Sequence, residues 1–377
     1  MEYLIDDADS PTFESLGAHI RELHERMLRM APGICRVACA LYDPGDDVLK
    51  TFVNSTREGE ALRSYEAKLS DSYSLSTLAE SGETRVLTDL PNEINTGSAH
   101  SNWVLGMGYT SSLTIPLKFQ DHLLGFLFFD SDDADTFNPE VQRELGLYGR
   151  LIGLAISNEL IVIRSILGSI QMAREFAQMR DIETGTHLTR IARYARVIAK
   201  EIAPELGRSD EWVESVFLYS PLHDIGKIGI PDGILFKPGP LTPDERTIMK
   251  AHTEIGLELV NSITGRLAVQ NTGSAHIMRN IVELHHEAVD GSGYPHGLAG
   301  DDIPLEAQVV SVADVFDALT SERPYKSEWT IEDAMVELHS MVGRGKLRAD
   351  AVAALERQLP EVREIHAKFH ETASAIF

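Results

Sequence analysis

Only two cysteines, Cys35 and Cys39, occur among 377 residues, which excludes a disulfide-built scaffold and a four-thiolate zinc site. Basic residues are scarce: 34 Lys and Arg stand against 58 Asp and Glu, a formal net charge of -24. Such a surface repels a phosphate backbone and an anionic bilayer, so neither nucleic acid nor a membrane is an expected partner. An anionic substrate would have to be captured by a few local cations. Long apolar runs are missing too. The most apolar stretch, LIGLAISNELIVI at 151–163, is shorter than a bilayer span and contains Asn158 and Glu159. The opening MEYLIDDADS is acidic and lacks the apolar core of a signal peptide, so a cytoplasmic protein is expected. What remains is ordinary globular material, 43% hydrophobic and 24% charged, in a chain long enough for two domains.

Residues 1–158 read as mixed α and β. Phe13, Leu16, Ile20, Leu23, Met27 and Met30 recur at helical spacing. The segment RVACALYDPGDDVLKTFVNS holds two short strand patterns around the turn residues Asp43-Pro44-Gly45-Asp46. A second pair, Ser111–Leu117 and Leu123–Asp130, flanks the turn 118–122, and 140–156 then reads as a helix. Helices packed on an antiparallel sheet are the expected α+β arrangement. Cys35 and Cys39, four apart on a strand, are expected on one face as small core residues.

Residues 159–180 form the join. Ile156, Leu160, Ile163, Ile166, Ile170, Ala173 and Ala177 are spaced by threes and fours, with no Gly-Pro-Ser linker. The pattern fits either a helix packed on its own domain or a parallel dimer helix carrying a signal between the halves. From 181 to 377 helical periodicity dominates, and an all-α bundle is expected. Its exception is the turn-rich DGSGYPHGLAGDDIP at 290–304, and so long a polar loop in a compact domain is usually functional.

Chemistry concentrates in this half. Of 14 histidines, nine (His19, His24, His100, His122, His276, His296, His339, His366 and His370) show no partner pattern and read as surface or satisfied core residues. The other five keep distinctive company. Glu183 and His187 are four apart, hence on one helical face. His223 and Asp224 sit in an apolar context, with Lys227 three residues on. His252 lies within an amphipathic helix, His285-His286 at a helix end, and Asp314 in the apolar run VVSVADVFDALTS, with Asp317 beyond it. Imidazoles and carboxylates without thiol suit Fe, Mn, Ni or Zn in a multinuclear site, with Asp224 the natural bridge. Two metals that hold a hydroxide and polarise a phosphoryl oxygen are a standard solution for phosphoester hydrolysis.

The order His187, His223-Asp224, His252, His285-His286, Asp314 resembles the HD superfamily of metal-dependent phosphohydrolases. More narrowly, HDIGKIGIPDGILFKPGPLT, HHEAVDGSGYPHGL and VADVFDALTSERPYK resemble an HD-GYP domain over roughly 170–375. The N-terminal element order, and SSLTIPLKFQDHLLGFLFFDS in particular, resembles a GAF domain. The resemblance implies a phosphodiesterase that linearises cyclic di-GMP to pGpG, and in some members continues to GMP. It implies two or three divalent metals, Fe or Mn first, with Glu183 as the extra ligand of the three-metal type. Lys227, Arg323 and Lys326 fall where the family places cations facing the phosphates, and Gly293-Tyr294-Pro295 is the signature loop, with Tyr294 offering a ring and a hydroxyl. Asp224 and Lys227 are the expected catalytic pair, with Lys227 or a water chain ending on Asp317 as proton source for the leaving 3′-oxygen. Also expected are a homodimer through the joining helix, a GGDEF-type partner at the signature loop, and a GAF ligand that no motif identifies. The chain departs from the family at Ala288-Val289, where Arg-Trp is usual, and at Leu347-Arg348-Ala349, where Phe-Asp-Pro is common. A non-catalytic cyclic di-GMP receptor and a hydrolase of another cyclic dinucleotide or nucleotide are the competing readings.

Overall fold

The computed structural model describes residues 16–29, 31–57, 62–94, 99–119, 121–176, 185–266, 273–321 and 328–369, and for 159–176 the backbone alone. Two compact units divide the chain, one built on 13–162 and the other on 163–208 and 212–377.

The first unit runs α1 (Leu16–Met27), β1 (Ile34–Asp43), β2 (Val48–Thr56), β3 (Glu66–Lys68), α2 (Tyr73–Ser81), β4 (Arg85–Leu87), α3 (Leu90–Glu93), α4 (Ala99–Gly106), β5 (Ser111–Phe119), β6 (His122–Ser131) and α5 (Pro139–Phe176). The strands make one antiparallel sheet in the order β3-β2-β1-β6-β5-β4. Alternation of apolar side chains gives the sheet two working faces. On one, Val37, Cys39, Leu113, Leu127 and Phe129 pack against Ile20 and Met27 of α1 and Leu145, Ile152 and Ile156 of α5. On the other, Phe126 and Phe128 pack with Leu69 and Leu78. Both expected hairpins are present, and the short edge strands β3 and β4 complete the sheet. Irregularities in β1 between Ile34 and Arg36, and between Cys39 and Ala40, break strict alternation. Cys39 therefore sits in the main core while Cys35 packs beside Leu90, Val104 and Tyr109, so the two thiols do not share a cluster.

Helix α5 continues through the join to Phe176. The first position of the expected seam, Ile156, is 2% exposed and belongs to the sheet core. Leu147, Leu151 and Leu154 lie instead 55%, 53% and 61% exposed, a stripe at four- and three-residue spacing on a different face. The side chains of Leu160, Ile163, Ile166, Ile170 and Ala173 lie outside the described residues, as does Ala177.

The second unit is helical, as its periodicity anticipates: α6 (Gly185–Ile202), α7 (Asp210–Tyr219), α8 (Asp232–Leu235), α9 (Pro243–Lys250), α10 (His252–Arg266), α11 (Gly273–Leu284), α12 (Leu305–Thr320), α13 (Ile331–Gly343), α14 (Ala349–Arg357) and α15 (Leu359–Lys368). Helices α6 and α12 form its centre, with Tyr194 edge-on to Phe316 at 5.1 Å and Ile191, Ile198, Val309 and Val312 buried around them. The pattern across 242–263 divides at Ala251. Thr242 and Glu245 cap α9 reciprocally, and α10 begins anew at His252.

Candidate metal centre

His223 and Asp224 lie between two tight 3₁₀ turns, Ser220–Leu222 and Ile225–Gly229, rather than within a helix. Those turns pass directly under α10. A Cβ on Gly226 would sit 1.8 Å from the carbonyl oxygen of His252, so only glycine permits this approach. The contact brings Asp224 against the start of α10, with its Oδ1 3.2 Å from His252 Nε2 and 3.9 Å from His285 Nε2. Its other oxygen is 3.1 Å from His223 Nε2 and 2.7 Å from Lys227 Nζ. Asp314, one face of α12, has Oδ1 3.9 Å from His223 Nε2.

Two groups of metal-ligand type result, Asp224 with His252, His285 and His286, and His187 with His223 and Asp314. Within each, candidate ligand atoms lie within 4.8 Å of one another. Asp224 touches both groups through different oxygens, the placement a bridging carboxylate needs. All seven were singled out from sequence, and the fold gathers them from α6, the 3₁₀ turns, α10, the end of α11 and α12. Glu183, Arg323 and Lys326 lie outside the described residues.

The aim of each imidazole is set from behind. Nδ1–H donates to a carbonyl one turn upstream in His223 (Ser220 O, 2.8 Å), His252 (Met249 O, 2.8 Å) and His285 (Ile281 O, 2.9 Å). In His187, Nδ1–H donates to Asp317 Oδ2 at 2.6 Å. Each bond fixes the tautomer that leaves a lone pair on Nε2, facing the cluster. Nε2 of His252 and of His285 and Oδ1 of Asp224 are buried without a hydrogen-bond partner among the described residues. Such atoms are costly unless something accepts their lone pairs, and a divalent cation does so. The residues present therefore fit metal.

Electrostatics point the same way. Burial, reinforced by neighbouring imidazoles, holds His285 well below its ordinary pKa; burial brings His286 down to about 3 and also lowers His252. These rings are neutral at pH 7 and need shed no proton to bind a cation. Burial alone would raise Asp224, but Lys227 and His223 outweigh it and keep the carboxylate ionised.

Asp317 is fully buried, and Arg190 grips it with Nε at 2.6 Å and Nη2 at 3.0 Å while His187 holds its edge. Both of its oxygens are engaged by these two side chains. Arg190 was missed in the sequence, although a cation three residues after His187 and a carboxylate in an apolar helix are the signal for such a pair. Lys250 was also missed: its Nζ lies 4.7 Å above the Tyr294 ring, which stacks on His286 at 4.7 Å.

The signature loop is folded onto this edge. Glu287, 5% exposed, accepts from the backbone N–H groups of His296, Gly297 and Leu298 at 2.7, 3.1 and 3.0 Å. Gly293 passes so close that a Cβ would lie 2.3 Å from Ala288 N. The Tyr294-Pro295 bond is cis. At the departures from the family pattern, Val289 N bonds Lys346 O and Asp290 N bonds Gly345 O, and Leu347 is buried, so these segments brace one another.

Residues 14–157 match the family model for the GAF domain, and residues 177–350 match that for the HD domain. Two family models thus account for most of the chain, that of the GAF domain first and that of the HD domain second. It is 43% identical over 235 residues to the cyclic di-GMP phosphodiesterase response regulator RpfG of Xanthomonas campestris, covering 62% of this chain and 57% of that protein. Against a cyclic di-GMP phosphodiesterase of Thermotoga maritima the identity is 40% over 195 residues, 51% of this chain and 50% of the relative. Against the 3′3′-cGAMP-specific phosphodiesterase 2 of Vibrio cholerae it is 38% over 239 residues, 60% and 44% respectively. The chain spans about half the length of the curated relatives it matches. Among the described residues no helix is long and apolar enough to cross a membrane.

Proposed function

We propose that the chain is an HD-GYP phosphodiesterase that hydrolyses cyclic di-GMP in the cytoplasm, to pGpG or as far as GMP, under control of its GAF domain. The observation that carries this reading is the gathering of five imidazoles and two carboxylates into two groups that Asp224 links, with buried lone pairs turned inward. His187, His223 and Asp314 would hold one metal, His252, His285 and His286 another, and Asp224 both. Glu183 is proposed for a third, with Fe or Mn as the ions. When bound, such ions supply Lewis acidity towards a phosphoryl oxygen and the attacking water. Asp224, kept ionised by Lys227, balances that charge. Lys227, with Arg323 and Lys326, holds the phosphates and stabilises charge on their equatorial oxygens. Lys227 would also give the leaving 3′-oxygen its proton. Tyr294, stacked on His286, offers its ring to a guanine. The exposed Leu147, Leu151 and Leu154 stripe of α5 is proposed as the start of the homodimer contact, and the signature loop as the contact for a GGDEF-type partner.

Purified, metal-loaded protein should convert cyclic di-GMP to linear product on chromatography. Asp224→Ala should lose metal and activity together. Glu183→Ala should cost about one ion per chain, since a third site has its own ligand. Replacing Arg323 and Lys326 with Ala should raise KM at constant metal content. Activity retained after metal stripping would overturn the reading. The second reading, cleavage of 3′3′-cGAMP, is favoured by the similarity to the Vibrio cholerae enzyme of that specificity. A larger kcat/KM for that dinucleotide would establish it.

A further inference from the structure

The sheet face opposite α5 closes over a cavity of 280 Å³ in the GAF unit. Leu49, Leu75, Leu90, Val104 and Phe128 give it an apolar lining, yet two guanidiniums, Arg36 and Arg85, also line it. Arg36 is 2% exposed, donates from Nη1 to Asp130 Oδ2 at 2.5 Å and lies 4.9 Å over Trp103. The second oxygen of Asp130 accepts from Ser112 Oγ at 2.7 Å, so that carboxylate is already engaged. Arg85 donates to two neutral hydroxyls, Ser74 Oγ and Thr114 Oγ. Nε of both arginines is buried with no hydrogen-bond partner among the described residues.

Charge counting defines the complement. Inside are two guanidiniums and one carboxylate, an excess of one positive charge in a chain whose net charge is -24. Lys68, Asp71 and Glu93 also border the cavity but are exposed, where solvent screens them. His100, 5.8 Å from Tyr65 and 5.7 Å from Phe128, adds no charge: burial lowers its pKa to about 4. Cys39 borders the cavity too, but burial raises its thiol to about 12, leaving no thiolate to tether a ligand. Buried donors on a charged group call for an acceptor with charge of its own, and a second negative charge would have no counterpart.

We propose that this cavity binds, without covalent attachment, a small organic monoanion with an apolar body, whose carboxylate or phosphodiester oxygens accept from Arg85 and Arg36. The proposal stands apart from the metal centre and from the reaction assigned to it.

Matched probe pairs that differ in charge test it on the full chain by titration calorimetry: 1-naphthoate against 1-naphthamide, and cyclic AMP against adenosine. One member of at least one pair should bind at one site per chain, with the anion favoured about tenfold or more. Preference in the first pair identifies a carboxylate and in the second a phosphodiester. Arg85→Gln should bring anion and neutral partner within about twofold, and Arg85→Lys, which keeps the charge but not the fork, should fall between. Absence of binding in both pairs, or equal binding within each, overturns the proposal. So does full preference retained in both variants. If Arg85→Gln does not fold, Arg85→Lys decides: undiminished preference there removes the guanidinium from the site.

Discussion

Nδ1 of His187 lies 2.6 Å from Oδ2 of Asp317, and Nε of Arg190 lies 2.6 Å from the other oxygen of the same carboxylate. An imidazole of the candidate metal centre is thus backed by a carboxylate that is itself locked. Asp317→Asn should keep the shape but lower affinity for the ion beside His187 by about 10–100-fold, the usual cost of losing such a partner. Chelator competition should show one ion per chain loosened and the remainder unchanged. Asp317→Ala should do more, because it takes the carboxylate away from the buried Arg190 charge, at a cost of about 3–5 kcal/mol. If both variants hold metal as tightly as the parent, His187 is not a ligand.

Gly226 should tolerate no side chain. Its missing Cβ is what lets the 3₁₀ turns reach the His252 carbonyl. Gly226→Ala should destabilise the HD unit by about 3 kcal/mol through overpacking and separate Asp224 from His252. Denaturant melts and metal content are the measurements. A stable, fully metallated Gly226→Ala protein would show that the approach can relax without harm.

Glu287 pins the signature loop through three amides. Hydrogen bonds to a charged acceptor are worth about 1.5–3 kcal/mol each in net terms. Glu287→Gln should therefore speed hydrogen exchange at His296, Gly297 and Leu298 by about tenfold or more. Unchanged protection there would assign the loop's order to Gly293 and the Asp290–Ala299 bridge instead.

The GAF unit should weaken in mild acid. Burial, reinforced by the Arg36 charge and partly offset by Asp130, lowers His100 to about 4. The unfolded chain takes up this proton near pH 6.5, whereas the folded one resists it until about 4. Stability is therefore full above pH 6.5 and declines as pH falls towards 4, by about 2 kcal/mol after allowance for partial exposure. His24, also lowered by burial, acts in the same direction. Thermal melts from pH 7 to 4.5 should show a shallower decline in His100→Gln than in the parent. Equal slopes would assign the acid sensitivity to His24 and other groups.

The candidate metal centre was legible in the sequence because a metal site would demand particular residue types, and His187, His223, Asp224, His252, His285, His286 and Asp314 stand out against apolar text. Arg190 was marked only by its place three residues after His187, with its partner 127 residues away, and Lys250 by nothing in its own segment. The hairpins were clear from alternation. Strands β3 and β4, three residues each, are too short to alternate and exist through pairing with β2 and β5. Ile156 packs on its own domain, one of the two arrangements that its spacing allowed. A 3/4 spacing tells which residues share a side of a helix but not what lies on that side, and for Ile156 it is the sheet. The cavity arginines gave no linear signal, because Arg36 and Arg85 meet only through the sheet order.

His223, His252 and His285 owe their orientation to main-chain carbonyls, an anchorage that every amino acid supplies equally. Residues 220, 249 and 281 can therefore drift in evolution without turning these rings, provided the turns persist. His187 has no such insurance, because its anchor is the side chain of Asp317. Divergence in this centre should thus begin at the His187 end, where one codon change alters a ligand's basicity while the other three rings stay aimed.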